Sequence, residues 1–123
     1  MLSHVIKKLL DKATGLKFSP VIGMSEQEPI CSYNLTENTH EELNEATLEV
    51  RIYGSDYDEI ETLREKVKEN ICSKETESNI VMDNYSLRIK PSGGGILRDD
   101  NYFDSTQFFI VKFYSVHQSQ LLL

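Results

Sequence analysis

The stretch Ala46–Cys72, ATLEVRIYGSDYDEIETLREKVKENIC, decides the fold class. Within it Leu48, Val50 and Ile52 alternate with Thr47, Glu49, Arg51 and Tyr53, the period-two pattern of a strand that buries one face. Gly54 ends that run, and Ser55 or Asp56 can cap a helix beginning there. Tyr57, Ile60, Leu63, Val67 and Ile71 then recur every three or four residues, so the spacing predicts an amphipathic helix. Asp56, Asp58, Glu59 and Glu61 crowd its start and Lys66 and Lys68 lie toward its end, as the helix dipole favours. Glu61 with Arg64 and Glu65 with Lys68 read as i,i+3 surface pairs. A strand that hands directly onto a helix is a unit of an α+β domain, and nothing in this one is catalytic.

Outward from this unit the pattern continues. Leu2, Val5, Ile6, Leu9, Leu10 and Ala13 fall at helical spacing, with Ser3 as a possible cap and Gly15 just past the end, which makes residues 1–15 a first helix. Leu16 to Glu28 is irregular, punctuated by Pro20 and Gly23. A first strand is expected from Ile30 to Thr36, and the acidic segment Glu37 to Glu45 reads as a helical turn or a solvated loop. Ser73 to Asn79 is a polar connector. Val81 to Lys90 reads as one further strand, stopped by Pro91. Residues 92–104, SGGGILRDDNYFD, are too long and glycine-rich for a tight turn and are expected to form a projecting loop. The last strand, Gln107 to Val116, places Phe109, Val111 and Phe113 on one face and Phe108, Ile110, Tyr114 and Val116 on the other, beside Lys112. A strand apolar on both faces needs cover on both. Either the two helices pack on opposite faces or a neighbouring subunit covers one. Residues 117–123, HQSQLLL, form a C-terminal tail. The expected fold is therefore one α+β domain, 1–123, with a small, mostly antiparallel four-stranded sheet and two main helices packed on it.

Composition bounds the function. A chain of 123 residues with 39% apolar and 27% charged residues can bury a core of its own. Its net charge of −7 argues against general affinity for nucleic acid backbones or anionic membranes, and Lys7, Lys8, Lys12 and Lys17 read as a solvated helix flank. The N-terminus lacks the order of a secretory signal and no run approaches a membrane span, so folding in a cytoplasm is expected. Cys31 and Cys72 form no metal-binding pattern and read as small apolar residues of a reduced protein.

No reactive constellation stands out. The histidines His4, His40 and His117 lie apart, without a nucleophile motif or a metal-binding pair. Asp99, Asp100 and Asp104 depart from the ligand order of a calcium loop. Gly93, Gly94 and Gly95 are succeeded by Ile96 and Leu97 and no helix, so they read as hinge and turn residues and not as a phosphate cradle. No catalytic, metal or cofactor-binding residue is assigned, and no cofactor is expected.

The order helix, strand, LEVRIYGSDYDEIETLREKVKENI, strand, a segment with RDDNYFD, and the closing strand FFIVKFYSV resembles the small tail-completion proteins of long-tailed bacteriophages. These include tail terminators and tail-to-head joining proteins. The matching positions are Leu48, Val50, Ile52 and Tyr53, then Ser55, Asp56 and Tyr57, then Asp99, Asp100 and Asp104 before the final strand. The resemblance runs from about Ile30 to Val116; the first 29 residues have no clear match, and the glycine run departs from the pattern. It implies a virion subunit, assembled in the host cytoplasm, that forms a homo-oligomeric ring, usually a hexamer, at the head-proximal end of the tail. The ring would meet the tail tube protein or head connector proteins and let DNA pass without sequence recognition, with no membrane partner. The residues expected at those contacts are Gly93, Gly94, Gly95, Ile96, Arg98, Asp99, Asp100 and Tyr102, with Phe108, Ile110 and Tyr114 of the last strand and Leu121, Leu122 and Leu123 of the tail. The competing expectation is a small soluble bacterial binding or adaptor module; an enzyme ranks below both.

Overall fold

A computed structural model describes residues 1–20, 27–40, 43–72 and 79–115. The elements run α1 (Leu2–Thr14), β1 (Ile30–His40), β2 (Leu43–Gly54), α2 (Tyr57–Ile71), β3 (Ile80–Met82), β4 (Tyr85–Asp99) and β5 (Tyr102–Ser115). The fold is α+β, a two-layer arrangement with one antiparallel sheet ordered β1-β2-β5-β4-β3. The sheet thus has five strands where the sequence pattern predicts four. The additional strand arises because Val81–Lys90 does not run as one element: Asp83 and Asn84 take φ of 50° and 67°, which folds the run into the β3–β4 hairpin. Asp and Asn tolerate the left-handed region better than other side-chain-bearing residues.

Both helices lie on the same face of the sheet. In β2 the even-numbered Ala46, Leu48, Val50 and Ile52 are fully buried, while Thr47, Glu49, Arg51 and Tyr53 are half-buried on the other side. The same face is supplied by Cys31 and Tyr33 from β1, Phe109 and Val111 from β5, and Leu87 and Ile89 from β4. These merge with Val5, Ile6 and Leu10 of α1 and Ile60, Leu63, Val67 and Ile71 of α2 into a single core. Each fully buried aliphatic contributes roughly 1.5–3 kcal/mol relative to an exposed one. The helix ends obey local rules. Gly15 closes α1 at φ 76° with its N–H on Asp11 O at 2.8 Å, and Asp56 caps α2 by accepting the Glu59 N–H at 3.2 Å. At the start of α1 no side chain caps; the cap position is Met1, and Ser3 instead reaches the Tyr33 hydroxyl at 3.2 Å.

Residues 92–104 do not form a projecting loop. Strand β4 passes Pro91, continues to Asp99, and returns through Asp100 and Asn101 into β5. Pro91 is tolerated because β4 pairs with β3 only at Tyr85–Leu87, so beyond that point it is, among the described residues, an edge strand whose outer side needs no donor. The glycines make a bulge there. The register slips between Pro91 and Gly93, and Gly93 and Gly94 take φ of 145° and 129°. At Gly94 the approach is close: a Cβ would fall 2.1 Å from Thr106 O. Arg64 of α2 locks this point, with Nη1 donating to Ser105 Oγ at 2.8 Å, Thr106 O at 2.9 Å and Gly95 O at 3.2 Å. Gln107 returns a bond from Nε2 to Arg64 O at 3.1 Å. Arg64 is thus a link between helix and sheet and not one half of a surface pair with Glu61. The acidic segment after Thr36 also differs from expectation: β1 extends to His40 and β2 already begins at Leu43.

The two neighbouring glycines separate cleanly by experiment. Gly94→Ala has both a positive φ and a backbone clash and is expected to cost about 2–3 kcal/mol. Gly95→Ala meets nothing within 4 Å and is expected to stay within about 0.5 kcal/mol of the parent in denaturant titrations.

Candidate functional site

Among the described residues one face of the sheet has no helix over it, and exposed apolar side chains collect there. Four of the large hydrophobic residues with high exposure, Leu97 at 73%, Val81 at 68%, Tyr114 at 53% and Tyr102 at 38%, fall on this face by strand register. The half-buried Phe108 and Ile110 of β5 lie between them. Strand β5 is therefore two-faced in the way its sequence suggests. The helices cover only the Phe109 and Val111 side and leave Phe108, Ile110 and Tyr114 uncovered within the described chain.

Charge is distributed unevenly about this strip. On the β2 flank Glu49 sits opposite Phe108 and Glu45 opposite Lys112; on the β4 flank Lys90 sits opposite Ile110 and Arg88 opposite Lys112. The strip thus has an acidic and a basic border along its Phe108–Lys112 half. Toward the Asp99 end the face changes character. Tyr53 and Tyr102 stack with centroids 5.2 Å apart and planes 11° from parallel. Arg51 Nη2 donates to Asp104 Oδ2, and this hydrogen bond, ahead of charge attraction from Asp104 and Glu49, raises the Arg51 guanidinium above its ordinary value. Ile30, Ser32, Arg51, Tyr53, Asp99 and Asp104 enclose a hollow of about 320 Å³. Partial burial, then the charges of Asp99, Tyr102, Asp104 and Glu28, raises the Tyr53 phenol above its ordinary value.

The edge of β4 is a poor docking strand. Lys90, Pro91, the bulge and Arg98 are the devices that protect sheet edges from adding another strand. The outer edge of β1 is partly closed by Ser19, which donates to Cys31 O at 3.1 Å and accepts from Tyr33 N at 3.0 Å. Among the described residues the uncovered apolar surface is therefore the open face and not an edge.

The residues expected at contacts divide accordingly. Tyr102, Phe108, Ile110 and Tyr114 share the open face, with Asp99 at the hollow. Gly93, Gly94 and Gly95 belong to the bulge held by Arg64, a structural device within the subunit. Ile96 pairs with the buried Ser105 and so points to the helix side, and Arg98 turns its Nε onto Asp100 O at 3.3 Å. Asp100 sits in the turn at φ 54°. Leu121, Leu122 and Leu123 lie outside the described residues. Sequence reasoning passed over Tyr53, Arg51, Leu97 and the flanking Glu45, Glu49 and Lys90. The alternation of β2 held the signal for Glu45, Glu49, Arg51 and Tyr53, and that of Tyr85–Lys90 the signal for Lys90, whereas Leu97 required the true course of β4. Among the described residues no group of His, Cys, Asp and Glu is placed to hold a metal ion, and no helix is long and apolar enough to cross a membrane. No family model and no curated protein matches the chain.

Both thiols are free. Burial, reinforced by the negative charges of Glu59 and Asp11, pushes the Cys31 thiol from 9.0 up to about 11. The folded chain then keeps its proton to higher pH than the unfolded one, so this contribution is complete below pH 9.0 and lost as pH rises to about 11. Denaturation midpoints measured across that window are expected to fall, and to fall less in Cys31→Ala. A thiol reagent at pH 8 is expected to leave Cys31 unmodified until the chain is unfolded.

Proposed function

We propose that this chain is a tail-completion subunit of a long-tailed bacteriophage or prophage, a terminator or tail-to-head joining protein that works as a structural part of the virion. The observation that carries the reading is the open sheet face, a band of Phe108, Ile110, Tyr114, Leu97 and Tyr102 on a small acidic domain whose other sheet face is filled by its own helices. An uncovered apolar face of this kind suits a component that is finished by its neighbours. It joins the resemblance carried by Leu48–Tyr57 and the closing strand, which supplies the identity of those neighbours.

In this role the subunit closes a ring through heterologous contacts at the head-proximal end of the tail, limits growth of the tail tube and presents a surface to the head connector. The ring is a hexamer in this reading. A net charge of −7 fits a lumen through which DNA slides without being held. A second reading draws on the hollow beside Tyr53: a soluble module that takes a small ligand between Arg51, Asp99 and Asp104.

The test is co-assembly. The purified chain, added to polymerising tail tube protein encoded in the same genome, is expected to cap the tubes and hold their length, seen by electron microscopy. Phe108→Asp is expected to abolish capping while keeping the folded circular dichroism spectrum. Tubes that grow to the same lengths with and without the chain would overturn the reading. A melting temperature raised by a small molecule and abolished by Tyr53→Ala would favour the ligand module instead.

A further inference from the structure

We infer that the free chain covers its open face with a second copy of itself, two sheets packed face to face about a two-fold axis that runs along β5. This goes beyond the tail reading and does not depend on it: it concerns the state of the protein before any other partner is met. On a particle the same face would be released to a neighbour.

Strand order sets the geometry. With β5 central, an axis parallel to it places β5 over β5 and carries the β2 flank of one copy onto the β4 flank of the other. Phe108 and Ile110 then meet their own counterparts. Glu45 faces Arg88 of the other copy, and Lys90 comes over Thr47, between Glu45 and Glu49. The opposite in-plane axis, across the strands, would lay β2 on β2 and β4 on β4 and put acid on acid and base on base. Charge therefore selects one of the two face-to-face arrangements. Lys112 lies on the axis between Glu45 and Arg88 of its own sheet, so the two ammonium groups approach with one carboxylate, Glu45, beside them from each copy.

Size fits as well. Four strands about 4.8 Å apart, β1, β2, β5 and β4, paired over about ten residues at about 3.4 Å each, present a face on the order of 650 Å², toward the low end of the standard range. A standard stable interface buries roughly 800 Å² per partner. Two twisted antiparallel sheets stacked in this way form an aligned sandwich at about −30°, with the apolar strip as its core. Strand addition at the edges would give a different dimer, but the proline, bulge and charges of β4 oppose it.

The experiment is sedimentation equilibrium of the full chain over a concentration series reaching about 50 µM. A reversible dimer is expected. Lys90→Glu and Glu49→Lys, both on the solvent side of the sheet, should each weaken the dimer by roughly tenfold, and the double variant should recover most of the loss. Ile110→Asp should give a folded monomer. A monomer across the whole series would overturn the proposal. So would an oligomer whose affinity ignores the two charge reversals, or one that the double variant weakens further. None of these outcomes touches tube capping, so the dimer and the tail reading can fail separately.

Discussion

The alternation of β2 is the constraint on which the rest of the structure depends. Its even-numbered residues, Ala46 to Ile52, are buried to the last few square ångströms, and its odd-numbered residues are Thr, Glu, Arg and Tyr. A strand like this can be roofed on one side only. The Gly54–Asp56 turn then returns α2 directly over that side, and α1 packs against α2 on the same layer. Once both helices are committed to one face, β5 has no second helix to take its other apolar side. The uncovered strip is a consequence of one-sided β2 combined with two-sided β5.

Stiffness comes from the same helix layer. Arg64 ties α2 to three acceptors at the point where the β4 bulge crosses β5, and Gln107 answers from beneath. Charge-assisted bonds of this kind contribute about 1.5–3 kcal/mol each when well formed. They hold the bulge from the helix layer while the opposite face stays unencumbered. The glycines that look in the sequence like a flexible contact loop serve to let two backbones approach, which is a packing role. The open face is thereby made of strands and backed by a rigid helix layer.

The open face has two regions of different chemistry. Around Phe108 and Ile110 it is an apolar strip with an acidic and a basic border, suited to burial against a large partner. Around Tyr53 and Tyr102 it is aromatic, with the Arg51–Asp104 ion pair at its base. Oxygen Oδ1 of Asp104 is buried without a hydrogen-bond partner among the described residues, so this end carries unspent polar capacity beside a hollow. The strip is what the proposed association rests on; the hollow is what distinguishes the binding-module reading.

Period and punctuation in the sequence determined the α+β class, both helices with most of their buried residues, the Gly15 terminus, and the assignment of Phe109 and Val111 to one side of β5 and Phe108 and Ile110 to the other. Each of these is a local property, set within one turn of helix or two residues of strand. The structure chose Asp56 over Ser55 as the cap of α2 and left Tyr57 exposed. What only the tertiary structure decided is non-local: that Asp83 and Asn84 split one apparent strand into a hairpin, that Pro91 and the glycines continue β4, and that both helices choose the same face. Pro91 is harmless because β3 begins only at Ile80, opposite Leu87, so that among the described residues no strand pairs with β4 at Pro91 on that edge. Gly94 is required only because Thr106, twelve residues on in the chain, lies directly beneath it. Strand neighbours and helix sides are settled by contacts between distant segments, and no window of sequence contains both partners.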